Sequence, residues 1–324
     1  MKTVQVGLLG LGNIGTGTYK TLEMNKAQIE AAAECKIEIT KILERDVDRK
    51  RDITVRPDQF TQDPDSIFKD PEIDIVIELL GGIEPATTFM LSAMENGKHV
   101  VTANKAAVAA NFDKLMNTAR ENGVEFRFEA SVGGGIPILN AITTVLRSNQ
   151  FEEILGILNG TTNYILTQMT EYGLRYEDVL KKAQEKGFAE ADPTADVEGL
   201  DVANKLSILM ALAFDTYVAP EDIPTTGITQ ITRKDITSAA VNGCKIKLIA
   251  SAKLVDGKLE YSVKPTQLPN SHPLASINNE FNAVFVKGNA VDELMFYGKG
   301  AGPLPTGSAV MGDVLEIAKL CGRK

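Results

Sequence analysis

Immediately after a short apolar run at residues 4–9, the chain reads Gly10-Leu11-Gly12-Asn13-Ile14-Gly15 and then continues into a helical pattern at residues 21–33. No other feature restricts the fold so sharply. Glycines at this spacing suit a strand-to-helix turn: the first permits the tight bend, the second lets backbone approach a pyrophosphate, and the third allows the helix to pack closely on the strand. The start of the helix supplies N–H donors without helical partners. Alone the pattern is weak, and a ligand-free connection is the bland alternative. The correct order of strand, turn and helix favours a dinucleotide site built on Gly10, Gly12, Asn13, Ile14 and Gly15.

A second strand is expected at residues 37–43, closing a βαβ unit, with Glu44 and Arg45 at its polar end. Apolar runs at 73–80, 100–102 and 124–128 alternate with helical stretches at 87–96 and 112–122, as a parallel sheet with crossover helices requires. The first domain is therefore α/β and spans residues 1–132. Gly133, Gly134, Gly135 and Pro137 then break the pattern. Residues 133–302 form a second, α+β domain with a mixed sheet: strands are expected near 154–158, 245–254, 259–264 and 282–287, and helices near 164–170, 176–186, 200–213 and 235–242. A glycine- and proline-rich loop over 298–307 precedes an apolar helix at 308–320, and residues 303–324 are expected to return and complete the first domain. There is no repeat, heptad series or low-complexity tract.

Composition narrows the functions. With 34 basic and 43 acidic residues the net charge is −9, which repels an extended polyanion, so no nucleic-acid partner is expected. No apolar run approaches the roughly 20 residues that cross a bilayer, and the N-terminus has no signal-peptide core, so neither a membrane partner nor export is expected. Cys35, Cys244 and Cys321 lie far apart with no metal-ligand spacing, which fits a reducing, cytoplasmic setting. Only His99 and His272 are available as imidazoles, so catalysis is expected to rest on lysines and carboxylates.

Four places carry candidate chemistry. At the end of the second strand Glu44 favours NAD, whereas Arg45, Arg49, Lys50 and Arg51 favour NADP unless they are merely a solvated loop. A basic cluster in an acidic protein tips the balance to NADP(H), with Arg45 as the phosphate contact and NAD(H) still open. Lys105 follows an apolar strand and should sit at the carboxyl edge of the sheet, though a surface lysine at a helix start reads equally well. Asp201 and Lys205 are four apart on a helix. An exposed pair would be an ordinary salt bridge, but the helix looks apolar nearly all round, so a buried, proton-transferring pair is the alternative. The acidic loop at 190–198, with Glu190 and Asp196, suits a cationic ammonium rather than calcium. Asn159-Gly160-Thr161-Thr162 precedes a helix whose threonines can cap it while its N–H groups receive a carboxylate. Together the two loops suit a zwitterion.

From end to end the chain resembles homoserine dehydrogenase. The likeness rests on the glycine turn, Glu78-Leu79-Leu80-Gly81-Gly82, Thr102-Ala103-Asn104-Lys105, Glu129-Ala130-Ser131-Val132-Gly133-Gly134-Gly135-Ile136-Pro137, Asn159-Gly160-Thr161-Thr162-Asn163-Tyr164, Gly187-Phe188-Ala189-Glu190-Ala191-Asp192-Pro193 and Gly199-Leu200-Asp201-Val202-Ala203-Asn204-Lys205-Leu206, in the family's order. The resemblance implies a doubly wound parallel sheet of Rossmann type with a second catalytic and dimerisation domain, and a homodimer. It implies the reversible, NAD(P)-dependent reduction of L-aspartate 4-semialdehyde to L-homoserine, on the route to threonine and methionine. Lys205 would deliver the proton, Asp201 orient it, and Lys105 stabilise the reacting oxygen beside the nicotinamide. Glu190 would bind the substrate ammonium with support from Asp196, and Gly302 would contact the cofactor. A sodium ion is implied at Glu129 and the carbonyls of Val132, Gly134 and Ile136. Many members append a regulatory amino-acid-binding domain, and feedback through one is not expected here. A phosphorylating semialdehyde dehydrogenase would need a thiolate with a nearby base, which none of the three cysteines has in its local sequence. A cofactor-sensing protein would have no use for Asp201, Lys205 and Glu190 together.

Overall fold

A computed structural model describes residues 2–185, 187 and 192–322, and the chain packs as two compact units, Met1–Gly135 with Ala301–Lys324, and Ile136–Gly300. The first unit runs β1 (Thr3–Leu9), α1 (Asn13–Ala33), β2 (Lys36–Leu43), β3 (Phe60–Thr61), α2 (Asp65–Phe68), β4 (Ile73–Glu78), α3 (Ala86–Glu95), β5 (His99–Thr102), α4 (Lys105–Ala110), α5 (Phe112–Glu121) and β6 (Phe126–Arg127). Its six strands are parallel in the order β3-β2-β1-β4-β5-β6. Side-chain alternation sends Val4, Val6 and Leu8 to one face, against Leu22 and Ile29 of α1 and Val310, Val314 and Ile317 of the C-terminal helix. Leu9, Val76 and Val100 turn to the other face, against Met90 and Met94 of α3 and Leu115 of α5. Burial on both faces explains why these strands read as unbroken apolar runs. Strand order reverses between β1 and β4, the place where such sheets bind ligands. Register aligns Leu9 with Leu43 on one side and Glu78 on the other, and Glu78 with Thr102, so the glycine turn and these strand ends share the carboxyl edge.

The second unit contains α6 (Ile138–Asn140), β7 (Phe151–Ile157), α7 (Gly160–Tyr172), α8 (Tyr176–Glu185), α9 (Thr194–Val197), α10 (Leu200–Ala213), α11 (Arg233–Val241), β8 (Cys244–Val255), β9 (Lys258–Pro269), β10 (Phe281–Gly288) and β11 (Asp292–Lys299); α12 (Pro303–Gly322) belongs to the first unit. Its sheet, in the order β11-β10-β7-β8-β9, is antiparallel between all neighbours rather than mixed; among the described residues of this unit the parallel pairing is the isolated bridge Thr225–Val263. The reason is local: Asp256 and Gly257, both left-handed, close a two-residue hairpin between β8 and β9, and a three-residue loop, 289–291, turns β10 back into β11. β11 was not expected, because a half-exposed edge strand containing Gly298 carries little apolar signal.

The largest differences in helix start are in α1 and α12. α1 begins at Asn13 rather than residue 21, and α12 at Pro303 rather than 308. Glycine early in α1 lowers its helical signal but is sterically required: a Cβ on Gly15 would strike the Gly10 carbonyl, and one on Gly17 the Pro303 carbonyl. α12 opens with Pro303 and Pro305, residues tolerated only in a first turn. Among the described residues no helix is long and apolar enough to cross a membrane.

Candidate active site

In the first unit the glycine turn leaves β1 through Gly10, whose φ of +92° only glycine adopts freely, and its N–H donates to Leu43 O at 2.9 Å. Gly12 caps α1 without a side-chain hydrogen bond, and a Cβ placed on it would meet nothing within 4 Å. Asn13, Ile14 and Gly15 form the first turn of α1, which holds no acidic residue. A bare helix start with open space before it suits a pyrophosphate.

The loop after β2 is organised differently from a simple basic patch. Glu44 Oε2 accepts the Leu11 N–H at 3.0 Å and pairs with Arg51 Nη2 at 2.9 Å, while Oε1 accepts the Asp46 N–H. Arg51 also donates to the carbonyls of Leu11, Arg49 and Asp46. Burial alone would raise the Glu44 pKa, but the N–H groups of Asp46 and Leu11 and the Arg51 guanidinium outweigh it, leaving the carboxyl below its ordinary range. Arg51 is thus structural. Arg45 is exposed at the strand end, and Arg49 Nη2 lies 3.5 Å from Asn13 Oδ1.

At the end of β4 lies a buried carboxylate whose role the sequence did not signal beyond its place in the motif. Glu78 accepts from Thr102 Oγ1 at 2.6 Å and from the Leu80 N–H at 2.7 Å. Burial raises its pKa, opposed by those donors and by Asn104. Thr102 Oγ1 accepts the Asn104 N–H; Asn104 Oδ1 caps α4 through Ala107, and its Nδ2 donates to Gly82 O. This network fixes the turn from which half-buried Lys105 emerges as the first residue of α4. Glu129 is buried in a 3₁₀ turn whose N–H is held by Asp313 Oδ2 at 2.8 Å; Val132 is buried, and Gly133 and Gly134 are left-handed at φ +75° and +57°. Ile136, also buried, opens the second unit, and Gly302 (φ +120°) lies just before α12.

In the second unit α10 is buried on nearly every side, including Asp201 and Lys205, 6% and 7% exposed. The surface salt-bridge reading therefore falls. Lys205 Nζ donates to Asp201 Oδ2 at 2.7 Å and to Leu158 O at 2.6 Å. Asn159 ties the site together: its Nδ2 donates to Asp201 Oδ2 at 3.0 Å and to Asp196 Oδ1 at 2.7 Å. Its Oδ1 accepts from the Thr162 N–H, so Asn159 is the cap of α7, not a threonine, and Gly160, Thr161 and Thr162 form the first turn. Asparagine ranks above threonine at that position, a signal present in the sequence. Asp196, in α9, is raised in pKa by burial and by the Asp201 charge, with Asn159 and Thr161 opposing. The structure thus gathers Asp196, Asp201, Lys205, Gly160 and Thr161 around Asn159; Glu190 lies outside the described residues. A paired ammonium, a raised carboxyl and a helix start form a constellation for moving one proton and holding a zwitterion.

The family model described as homoserine dehydrogenase matches residues 137–315, and that described as homoserine dehydrogenase, NAD binding domain, matches residues 10–129. Homoserine dehydrogenase of Bacillus subtilis (strain 168) is 45% identical over 319 residues, covering 98% of this chain and 74% of that protein. The crystal structure of a homoserine dehydrogenase from Thiobacillus denitrificans has a TM-score of 0.95 at 42% identity, covering all 100% of this chain and 75% of that one. A hyperthermophilic archaeal homoserine dehydrogenase in complex with NADPH is 25% identical with a TM-score of 0.81, and 97% of each chain is covered.

Proposed function

This chain belongs to the homoserine dehydrogenase family, and on that premise we propose that Lys205 is its proton donor and Asp201 the group that orients it. The enzyme is an oxidoreductase that reversibly reduces L-aspartate 4-semialdehyde to L-homoserine with a nicotinamide coenzyme, in threonine and methionine biosynthesis. The observation that carries the catalytic assignment is the buried ion pair at 2.7 Å, lodged on a mostly apolar, largely buried helix.

When bound, the coenzyme supplies the hydride that adds to the aldehyde carbon. Charge then develops on the carbonyl oxygen, and the Lys205 ammonium transfers a proton to it, giving the alcohol; Asp201 favours the charged lysine and so its reprotonation. Lys105 would stabilise the same oxygen. Glu190 would bind the substrate ammonium beside Asp196, and the first turn of α7 at Gly160 and Thr161 would receive the carboxylate. Gly10, Gly12, Asn13, Ile14 and Gly15 would hold the pyrophosphate, with Gly302 a further coenzyme contact. The coenzyme is read as NADP(H): Glu44 already takes three donors, which argues against its serving a ribose hydroxyl, and Arg45 stands exposed beside it.

A sodium ion would be held by Glu129 and the carbonyls of Val132, Gly134 and Ile136. Oxygen-only donors suit a hard cation, and among the described residues no cluster of three or more His, Cys, Asp or Glu offers a transition-metal site. The homodimer reading is supported by Met295 and Tyr297, exposed on edge strand β11. Cytoplasmic residence stays an expectation, read from the wide spacing of Cys35, Cys244 and Cys321 in the sequence.

Lys205→Ala is the test. Its kcat for homoserine oxidation should fall at least about 100-fold with coenzyme KM nearly unchanged; an unaltered kcat rejects the assignment. Arg45→Ala should raise KM for NADPH far more than for NADH, and equal effects would remove the phosphate role. Activity in sodium against potassium salts, with and without Glu129→Gln, tests the cation, and sedimentation tests the dimer.

A further inference from the structure

Lys247 lies in β8, one strand in from the sheet edge, and is 1% exposed, yet no carboxylate among the described residues is bonded to it. A buried ammonium without an anion is costly unless all its donors are used. Here they are: Nζ donates to Asn163 Oδ1 at 3.0 Å, to Asn278 Oδ1 at 3.3 Å and to the Ile277 carbonyl. Three acceptors match the three N–H groups of an ammonium, whereas a neutral amine offers two. Burial pushes the pKa down to about 8, with Lys245 adding to the shift and Glu171 opposing it.

Asn163 carries the connection onward. Its Nδ2 donates to the carbonyls of Ile277 and Phe281 at 3.3 and 3.0 Å, and its backbone N–H donates to Asn159 O at 3.2 Å. One turn later, Thr167 Oγ1 donates to Asn163 O and accepts the Asn279 N–H. A Cβ on Gly160 would lie only 2.8 Å from Glu280 O, so segment 277–281 presses directly on the first turn of α7. The cap of that turn is Asn159, which holds Asp196 and Asp201. Lys247 and the Asn163 side chain bond neither Asp201 nor Lys205; they fix the element whose cap does bond Asp201.

We propose that Lys247 is a positioning residue for the dehydrogenase reaction: through Asn163 it pins the first turn of α7 against segment 277–281 and so sets where Asn159 holds Asp201, the partner of Lys205. This rests on the reading of Asp201 and Lys205 as the proton-handling pair. Lys247→Met keeps the length of the side chain but removes its donors. Its kcat should fall at least about tenfold, as sub-ångström misplacement of a catalytic pair does, with coenzyme KM within about twofold of the parent. Asn163→Ala should behave alike, and the double variant should be no worse than the poorer single one, because both break one linkage.

Lys205→Ala belongs in the same assay. If it retains kcat, the site reading fails and the positioning role with it. If it loses activity while Lys247→Met keeps the parental kcat, or while the two positioning losses multiply, only the positioning role is overturned. A lowered melting temperature with normal kcat per coenzyme-binding site likewise leaves Lys247 a purely structural lysine and overturns the proposal. Should Lys247→Met fail to fold, Asn278→Ala removes one of the three acceptors at a half-buried rim. There a kcat loss of about threefold with unchanged coenzyme KM supports the proposal, and an unchanged kcat overturns it.

Discussion

Charge placement at single residues separates structural from chemical roles in this chain. Glu44 and Arg51 both occur in the stretch that reads as a coenzyme selector, but the arginine is spent on Glu44 and three carbonyls. Because the Glu44 pKa is depressed in the folded chain, its stabilising contribution is present above the ordinary glutamate range and disappears as pH falls through the folded value. Glu44→Gln should therefore lower the melting temperature at pH 7, and its difference from the parent should vanish once pH has fallen below the depressed folded value. A difference that persists there would mean the carboxylate charge is not what holds Leu11 and Arg51. Asp196 is the opposite case: burial raises its pKa, so an incoming ammonium would favour its charged form. Substrate affinity should then drop as pH falls through the raised value, an effect that Asp196→Asn abolishes in a KM-against-pH series.

Secondary-structure elements were legible where one physical signal dominated. The strands of the parallel sheet stand out because both faces are covered, and α10 because most of its residues are apolar. The first turns of α1 and α12 were not, since Gly15, Gly17, Pro303 and Pro305 have low intrinsic helicity; their helices form because close packing overrides propensity. That packing is glycine against backbone: a Cβ on Gly307 would lie 2.7 Å from the Gly17 carbonyl. Gly307→Val should thus force α1 and α12 apart and destabilise the first unit by about 1–3 kcal/mol, measurable by urea unfolding. Strand β11 escaped detection for a different reason, since an edge strand paired on one side needs neither unbroken hydrophobicity nor strict alternation.

At the scale of the whole molecule, the proposed pyrophosphate-binding turn lies in one unit and the proposed proton-transfer pair, Asp201 and Lys205, in the other. Kinetics should show that division. Gly15→Val, whose side chain would collide with Gly10, should raise coenzyme KM severalfold or abolish binding, whereas Glu190→Gln should raise semialdehyde KM with coenzyme KM intact. Coupled losses in both constants from each variant would refute the division. The order of residues alone determined the doubly wound parallel sheet, the glycine turn and the membership of Asp201 and Lys205 in one helix, because strand periodicity, turn sterics and i,i+4 spacing are local properties. Only tertiary packing decided that this pair is buried rather than solvated, that Asn159 joins Asp196 to Asp201, that Arg51 is consumed by Glu44, and that no carboxylate among the described residues bonds Lys247. Those facts depend on contacts between residues remote in the chain, and local patterns carry no information about which donors remain once such contacts form.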